Sequence, residues 1–265
     1  MDVNRLSPSG LRLLQMCGEA FRRRYVEGER SGYGLPAAIG SATHKSAEQD
    51  LNHKKDTGEL LAAEAIPDLA ADAFEDQVGG DEFELEAEER ASKATVLAAG
   101  KDQAIALASL HHTGLAPSLR PMYVEQRLEL EVPGFPVTLL GFADLIESSG
   151  VIRDLKTRRS KPRATDAEDD LGLAFYSMAA DVIYDIQPPS LVLDVLVKTK
   201  TPKIAQVTAV PDRGHARLTR RIERAVSLIQ AGTYLPADPS HWKCSQKFCD
   251  FFDDCPWGRR DRKQI

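Results

Sequence analysis

At 265 residues the chain can bury one good core and still carry a helical insertion. Hydrophobic residues at 42% and charged residues at 28% are globular proportions. No apolar segment approaches the length needed to span a bilayer, which excludes a membrane-spanning helix and makes a membrane partner unexpected. The net charge of −6 argues at first against a nucleic-acid partner.

In chain order, Met1 to Ser7 contains no apolar run of a signal peptide, so a cytoplasmic location is expected. Ser7-Pro8-Ser9 opens a helix, with Ser7 as cap and Pro8 at its first position. Leu11, Leu14, Cys17, Phe21 and Tyr25 recur at helical spacing and place Cys17 on the inward stripe. A Gly-rich loop runs from Gly28 to Gly34. A second helix starts near Pro36 and carries Gly40 and His44. From there to about His112 the chain is rich in Ala, Glu and Leu and reads as helical, with breaks at Pro67 and at Gly79-Gly80. Residues 45–115 are therefore expected to form an all-helical insertion.

The character changes at Pro121. Met122–Val132 and Val137–Ile146 alternate apolar and polar residues, and Val151–Lys156 follows the turn Ser148-Ser149-Gly150. These predict three strands in antiparallel succession. A helix is expected over Ala167–Tyr184, ended by Pro188-Pro189. Leu191–Val197 reads as a fully buried strand, and Ile204–Val210 as another. Pro211–Gly232 is a helix with Leu218, Ile222, Ala225 and Ile229 on its apolar face. The tail from Tyr234 is irregular and aromatic. Helices, a meander, then helix–strand–strand–helix predict an α/β fold with a mixed sheet. No internal repeat is visible.

Four cysteines frame the chain: Cys17 near its start, and Cys244, Cys249 and Cys255 near its end. They can share a ligand only if the two ends meet. Disulfides would need an oxidising compartment. Zinc takes four thiolates in a tetrahedron, usually from tight Cys-x-x-Cys knuckles. A cubane iron–sulfur cluster also takes four thiolates, often three from one segment and a remote fourth, with a Cys-Pro pair such as Cys255-Pro256. Unrelated buried thiols are the fourth reading. Spacing alone does not separate zinc from iron–sulfur.

The charge is unevenly spread. Residues 56–89 are strongly acidic, while basic residues collect at Arg22-Arg23-Arg24, Arg158–Arg163, Lys198–Lys203, Arg217–Arg224 and Arg259–Lys263. A local basic groove binds phosphates whatever the global sum, although any single run is more often a solvated face.

The sharpest constellation is Gly141-Phe142-Ala143-Asp144 followed by Asp154-Leu155-Lys156. Alternation along a strand puts Asp154 and Lys156 on one face and Leu155 on the other. The hairpin can bring Asp144 beside Asp154. Two converging carboxylates are hard oxygen ligands suited to Mg²⁺ or Mn²⁺. An adjacent ammonium can stabilise charge developing on a phosphate. Glu125, on the first strand, is either a further acid of this site or a solvent-facing strand residue.

These residues, in this order, resemble the iron–sulfur, RecB-like branch of the PD-(D/E)xK nuclease superfamily. That branch includes the CRISPR-associated RecB-like exonucleases, AddAB-type nuclease domains and eukaryotic exonuclease V. The resemblance runs nearly end to end. Leu6-Ser7-Pro8-Ser9 with Cys17 and Tyr25-Val26-Glu27-Gly28 is similar to the family's opening helix and first cluster cysteine. Gly40 to His44 matches its Gly-x-x-x-His motif, Gly141 to Asp144 its Gly-x-x-Asp motif, and Asp154 to Lys156 its Asp/Glu-x-Lys motif. The resemblance implies a single nuclease domain over 1–265 with a restriction-endonuclease-like mixed sheet flanked by helices. It implies a tail, 234–265, that pairs with the 7–26 helix. It further implies His44, Asp144, Asp154 and the Leu155 carbonyl as ligands to Mg²⁺ or Mn²⁺, with Lys156 catalytic. Cys17, Cys244, Cys249 and Cys255 would hold a 4Fe-4S cluster.

Two positions depart from the pattern. The usual Gln-x-x-x-Tyr keeps Tyr176 as a site residue but has Gly172 in place of glutamine. The Cys244–Cys249 gap is also wider than Cys-x-x-Cys. The implied function is exonucleolytic hydrolysis of single-stranded or fraying DNA ends in recombination, repair or CRISPR adaptation, with protein partners from such complexes. The competing class is a non-catalytic module that holds DNA ends.

Overall fold

A computed structural model describes residues 5–29, 32–131 and 137–258. Val132 of the first expected strand and the basic run 259–263 lie outside them. Contacts divide the chain into two units, one of residues 1–32, 129–141 and 214–265, the other of 33–128 and 142–213.

In the first unit, strand β1 (Arg5–Leu6) pairs in parallel with the start of β3 (Thr138–Glu147). Helix α1 (Pro8–Met16) is capped by Ser7, whose Oγ accepts from the Gly10 amide at 3.0 Å. The expected single helix over 7–26 is interrupted. Cys17 is extended (φ −158°, ψ 102°), and α2 (Gly18–Phe21) and a π-helical turn (Arg22–Val26) follow it. The cause is remote in sequence. The Gly18 amide donates to the Leu235 carbonyl at 2.6 Å, and a Cβ on Gly18 would stand 2.7 Å from the Leu235 nitrogen. Only glycine admits the tail backbone there. Cys17 thus sits at a break rather than on a helical stripe, and its Sγ accepts from the Ala237 amide at 3.3 Å. Helix α8 (Ala216–Gln230) buries Leu218, Ile222, Ala225 and Val226.

The Arg22 and Arg23 side chains do not form a free basic patch. Arg22 pairs with Glu19 and Glu27, and Arg23 with Glu29 and Asp254. In the other unit, Arg158 and Arg163 both pair with Asp166.

The second unit opens with α3 (Leu35–Thr57), ended by Gly58 at φ 86°. Helices α4 (Ala65–Gly79), α5 (Ala87–Arg90) and α6 (Lys93–Gly114) follow, with α3, α4 and α6 packed on one another. Pro67 falls in the first turn of α4, where its missing N–H has no intrahelical partner to lose. The break therefore lies before it. The core joins Ala42, Leu51, Phe74 and Leu107 of the helices to Leu155 and Leu196 of the strands. A buried strut adds to it: His112 Nδ1 lies 2.9 Å from Asp50 Oδ2, and Asp50 Oδ1 accepts from the Leu61 amide.

Strand β2 (Pro121–Glu131) pairs with β3, and β3 pairs antiparallel with β4 (Ile152–Arg158) around Gly150 at φ 83°. Helix α7 (Leu171–Tyr184) then carries the chain over to β5 (Leu191–Val197), parallel to β4 and buried at every residue. Strand β6 (Lys203–Ala209) closes antiparallel on β5. A mixed sheet flanked by helices is the predicted class. Helix α7 starts four residues later than expected because Asp170 caps it, accepting from the Gly172 and Leu173 amides at 2.8 and 3.1 Å. Among the described residues, no helix is long and apolar enough to cross a membrane.

Candidate active site

The site is built in the second unit where α3 crosses β4. Gly40 makes the crossing possible, since a Cβ there would meet Thr157 Oγ1 at 3.2 Å. One turn further along α3 stands His44, the distance at which side chains share a helix face. Register does the same for the carboxylates. Leu145 is paired with Arg153, and one step beyond that pair stand Asp144 and Asp154.

Asp144 Oδ2 accepts from the Leu155 amide at 2.6 Å and lies 3.7 Å from His44 Nδ1. The Leu155 carbonyl faces the His44 ring as an acceptor. Asp154 is buried, and Lys156 Nζ lies 2.6 Å from its Oδ2. That contact is close in distance but poor in hydrogen-bond alignment, and it leaves the Asp154 oxygen otherwise unpartnered. His44, Asp144 and Lys156 line a groove of about 710 Å³, whose wall also includes Glu125, Lys45 and Glu48.

Glu125 is the residue that sequence reasoning left undecided. His44, Glu125 and Asp144 each offer a ligand atom within 4.8 Å of the others. Glu125 sits inside β2 at φ 46°, a left-handed backbone that a non-glycine residue adopts only when its surroundings impose it. Such a conformation costs on the order of 1–3 kcal/mol and gathers at functional sites. Asp154 stands outside this trio, held by Lys156. His111, buried on α6 beside His44, was also not singled out by its sequence context.

The electrostatics follow from burial. His44 is lowered to about 4 by burial and then by the Lys156 charge, so its imidazole is neutral and offers a lone pair. Glu125 is raised to about 7 by burial and by Asp144. Asp154 is likewise raised to about 7 by burial and by Asp144, and Asp144 is raised by burial. Burial alone would lower Lys156, but the Asp154 and Asp144 carboxylates outweigh it and keep the ammonium charged. One neutral imidazole, crowded carboxylates and an orphaned buried oxygen form a donor set that fits a hard divalent cation.

Tyr176 is buried one turn after Gly172. A Cβ at position 172 would meet Asp170 Oδ1 at 3.0 Å and the Tyr176 hydroxyl at 3.5 Å. The capping carboxylate and the phenol thus fill the space into which a side chain at 172 would start. Burial and then the Asp154 charge push the Tyr176 phenol above its ordinary value, so it remains a proton donor.

The four thiols lie in the first unit. All are free, and all line one cavity together with Ala20, Pro236 and Phe251.

A protein from Eubacterium rectale, provisionally named an exonuclease, shares this fold. The alignment has a TM-score of 0.60 at 12% identity and covers 93% of this chain and 87% of that one. A structure described as SSO0001 aligns at a TM-score of only 0.33, with 16% identity over 88% of this chain and 89% of that one. No curated protein sequence matches the chain. The profile of the PD-(D/E)XK nuclease superfamily matches from residue 5 to residue 256, nearly the whole length, and the chain belongs to that superfamily.

Proposed function

We propose that this chain is a divalent-metal-dependent exodeoxyribonuclease of the iron–sulfur, RecB-like type, acting on single-stranded or frayed DNA ends. The observation that carries the reading is the convergence of His44, Glu125, Asp144 and Lys156 in one groove, with Asp154 buried against Lys156. Nucleases of this superfamily use divalent metals. The residues that would hold the ion are His44, Asp144 and Glu125, with Asp154 and the Leu155 carbonyl. When bound, such an ion supplies Lewis-acid polarisation of a phosphoryl oxygen and acidifies a water.

The chain's own groups do the rest. The Leu155 amide fixes the Asp144 carboxylate, and the neutral His44 ring is fixed against the Leu155 carbonyl. Lys156, charged and half-exposed at the groove, offers a donor to charge developing on the phosphodiester. Exonuclease action is the reading attached to the Eubacterium rectale protein, and the common fold prompts it here. DNA carrying a label at one end or the other, single- or double-stranded, digested in Mn²⁺ and in chelator, tests it. Mononucleotides or short oligomers should accumulate from one end in Mn²⁺ alone. Internal cuts in circular DNA at the same rate would replace the exonuclease reading with an endonuclease.

For the thiols, the reading is a 4Fe-4S cluster. A tetrahedral zinc site, with Zn–S near 2.3 Å, brings its sulfurs to about 3.8 Å from one another. Among the described residues, the cysteines form no group that tight, yet they line one cavity. The shared cavity supports a common metal group for the four thiols, and the family resemblance makes the cluster the reading for it. By the same reading, residues 234–265 form the tail that holds the cluster against the 7–26 segment, and 45–115 are an insertion in a single nuclease domain. Recombination, repair or CRISPR adaptation are the settings that the resemblance suggests.

The site also sets a pH dependence. Glu125 and Asp154 titrate near 7 in the folded, metal-free protein, above their unfolded values near 4. The folded state therefore binds more protons than the unfolded one across pH 4–7, and these groups favour folding at low pH and oppose it as pH rises. Metal replaces the protons. Chelation should lower the melting temperature more at pH 8 than at pH 6, by several degrees, and Mn²⁺ binding at pH 6.5 should release protons. Equal chelator effects at both pH values, read by scanning fluorimetry, would remove the carboxylate crowding from the account.

A further inference from the structure

The C-terminal tail displays aromatic rings where a small metal-stapled segment would be expected to hide them. Trp242, Phe248 and Trp257 are 59%, 44% and 53% exposed. Two of them adjoin, and Trp257 lines the thiol cavity together with Lys243. Trp242 and Phe248 meet edge to face at 5.2 Å between ring centroids, and His241 lies 5.6 Å from Trp242. Leaving such rings in water forgoes apolar burial that the fold could have used. Grouped exposed apolar surface marks a binding face.

The charge around them points to the kind of occupant. Lys247 stands 5.8 Å from the Phe248 ring centroid, and Lys243 follows Trp242 directly. Neither makes an ion pair among the described residues. Of the nearby acids, Asp254 pairs with Arg23, Asp253 accepts from Gln246 and Asp238 accepts from Ser240, while Asp250 is exposed. The segments of this unit hold sixteen Lys and Arg against twelve Asp and Glu, in a protein whose net charge is −6. The sequence then continues into Arg259-Arg260-Asp261-Arg262-Lys263. Aromatic platforms interleaved with cations hold single strands, because every base has a face to stack and every nucleotide a phosphate to pair.

We propose that Trp242, Phe248 and Trp257, with Lys243 and Lys247, form a stacking surface for unpaired nucleotides, separate from the residues of the metal-binding groove. The choice of nucleic acid over protein as its occupant rests on the nuclease reading. The surface supplies that reading with a preference for single-stranded substrate.

The chain provides its own probe, since Trp242 and Trp257 are its only tryptophans. Oligothymidylate of about fifteen nucleotides is titrated into the full-length protein without divalent metal, so that nothing is cut, and is compared with a duplex of equal length. Tryptophan emission should be quenched by the single strand and little by the duplex. Trp242→Ala and Trp257→Ala should each weaken single-strand binding about tenfold, and Trp242→Phe should restore most of the loss. Emission that stays constant while the anisotropy of a labelled strand shows it bound would overturn the proposal. So would alanine variants that bind within twofold of wild type, or emission that responds to protein concentration and not to the strand, which marks a protein interface. The wild-type titration needs no variant to fold. Metal-dependent digestion of duplex ends is read separately, so failure of the stacking surface and failure of the nuclease reading are distinguishable.

Discussion

Asp144→Asn should abolish DNA cleavage, by at least about a thousandfold, while DNA binding without metal changes less than twofold. The expectation follows from what the carboxylate touches. Its Oδ2 accepts from the Leu155 amide at 2.6 Å, and an asparagine oxygen can accept the same bond, so the β3–β4 hairpin should survive. What the amide cannot supply is the negative charge between His44 and Glu125 that would draw in a divalent ion. Phosphate contacts elsewhere set the affinity for DNA. Lys156→Gln separates the roles further. It should keep Mn²⁺ binding, read by electron paramagnetic resonance, and lose cleavage, because the ion's ligands remain while the donor to the phosphate does not. Glu125→Gln should weaken Mn²⁺ binding itself by about tenfold or more. A D144N protein that cuts at the wild-type rate would sink the site assignment. A wild-type protein that binds DNA ends and never cuts them in any metal would make the chain an end-binding module instead.

Much of the site is legible from sequence because it depends on short-range geometry. Strand alternation settles that Asp154 and Lys156 share a face, and the hairpin turn settles that Asp144 stands next to Asp154. Gly40 and His44 are one helical turn apart, so one residue opens the crossing and the other occupies it. The strand order was less accessible, since the parallel pairing of β4 with β5 depends on α7 crossing over the sheet rather than on any local pattern. Glu125 is hidden for a different reason. Its left-handed backbone inside a strand is imposed by its surroundings, and no residue type in β2 announces it. The break at Cys17 is equally non-local, set by a backbone contact from Leu235, more than two hundred residues away. Charge runs mislead in the opposite sense. Arg22, Arg23, Arg158 and Arg163 look available for phosphates in sequence, and each meets a carboxylate in the fold.

Protein purified without oxygen should be brown and contain iron and acid-labile sulfide near four of each per chain, and Cys17→Ala should cost more stability than any other single thiol replacement. The first expectation rests on four free thiols around one cavity and on the family resemblance of their spacing in the chain. Burial pushes the Cys244 and Cys249 thiols up, and the neighbouring thiols push in the same direction. Thiolates at Cys244 and Cys249 are therefore unfavourable there without a cationic group to share. The second expectation rests on position. Cys17 is the one ligand from the start of the chain, and its segment meets the tail through the Gly18–Leu235 hydrogen bond and the Ala237 amide on its own sulfur. Removing the thiol unhooks the tail from α1 and α2, whereas Cys244, Cys249 and Cys255 lie within one segment and leave that segment's ends joined. Loss of melting temperature and solubility should come first, with loss of cleavage following from it. The residual folded fraction should still bind Mn²⁺, because His44, Glu125 and Asp144 belong to the other unit. Stoichiometric zinc without sulfide in protein never exposed to air would replace the cluster by a zinc staple and keep the ranking of Cys17. Rapid alkylation of all four thiols in the native, metal-loaded protein would defeat both.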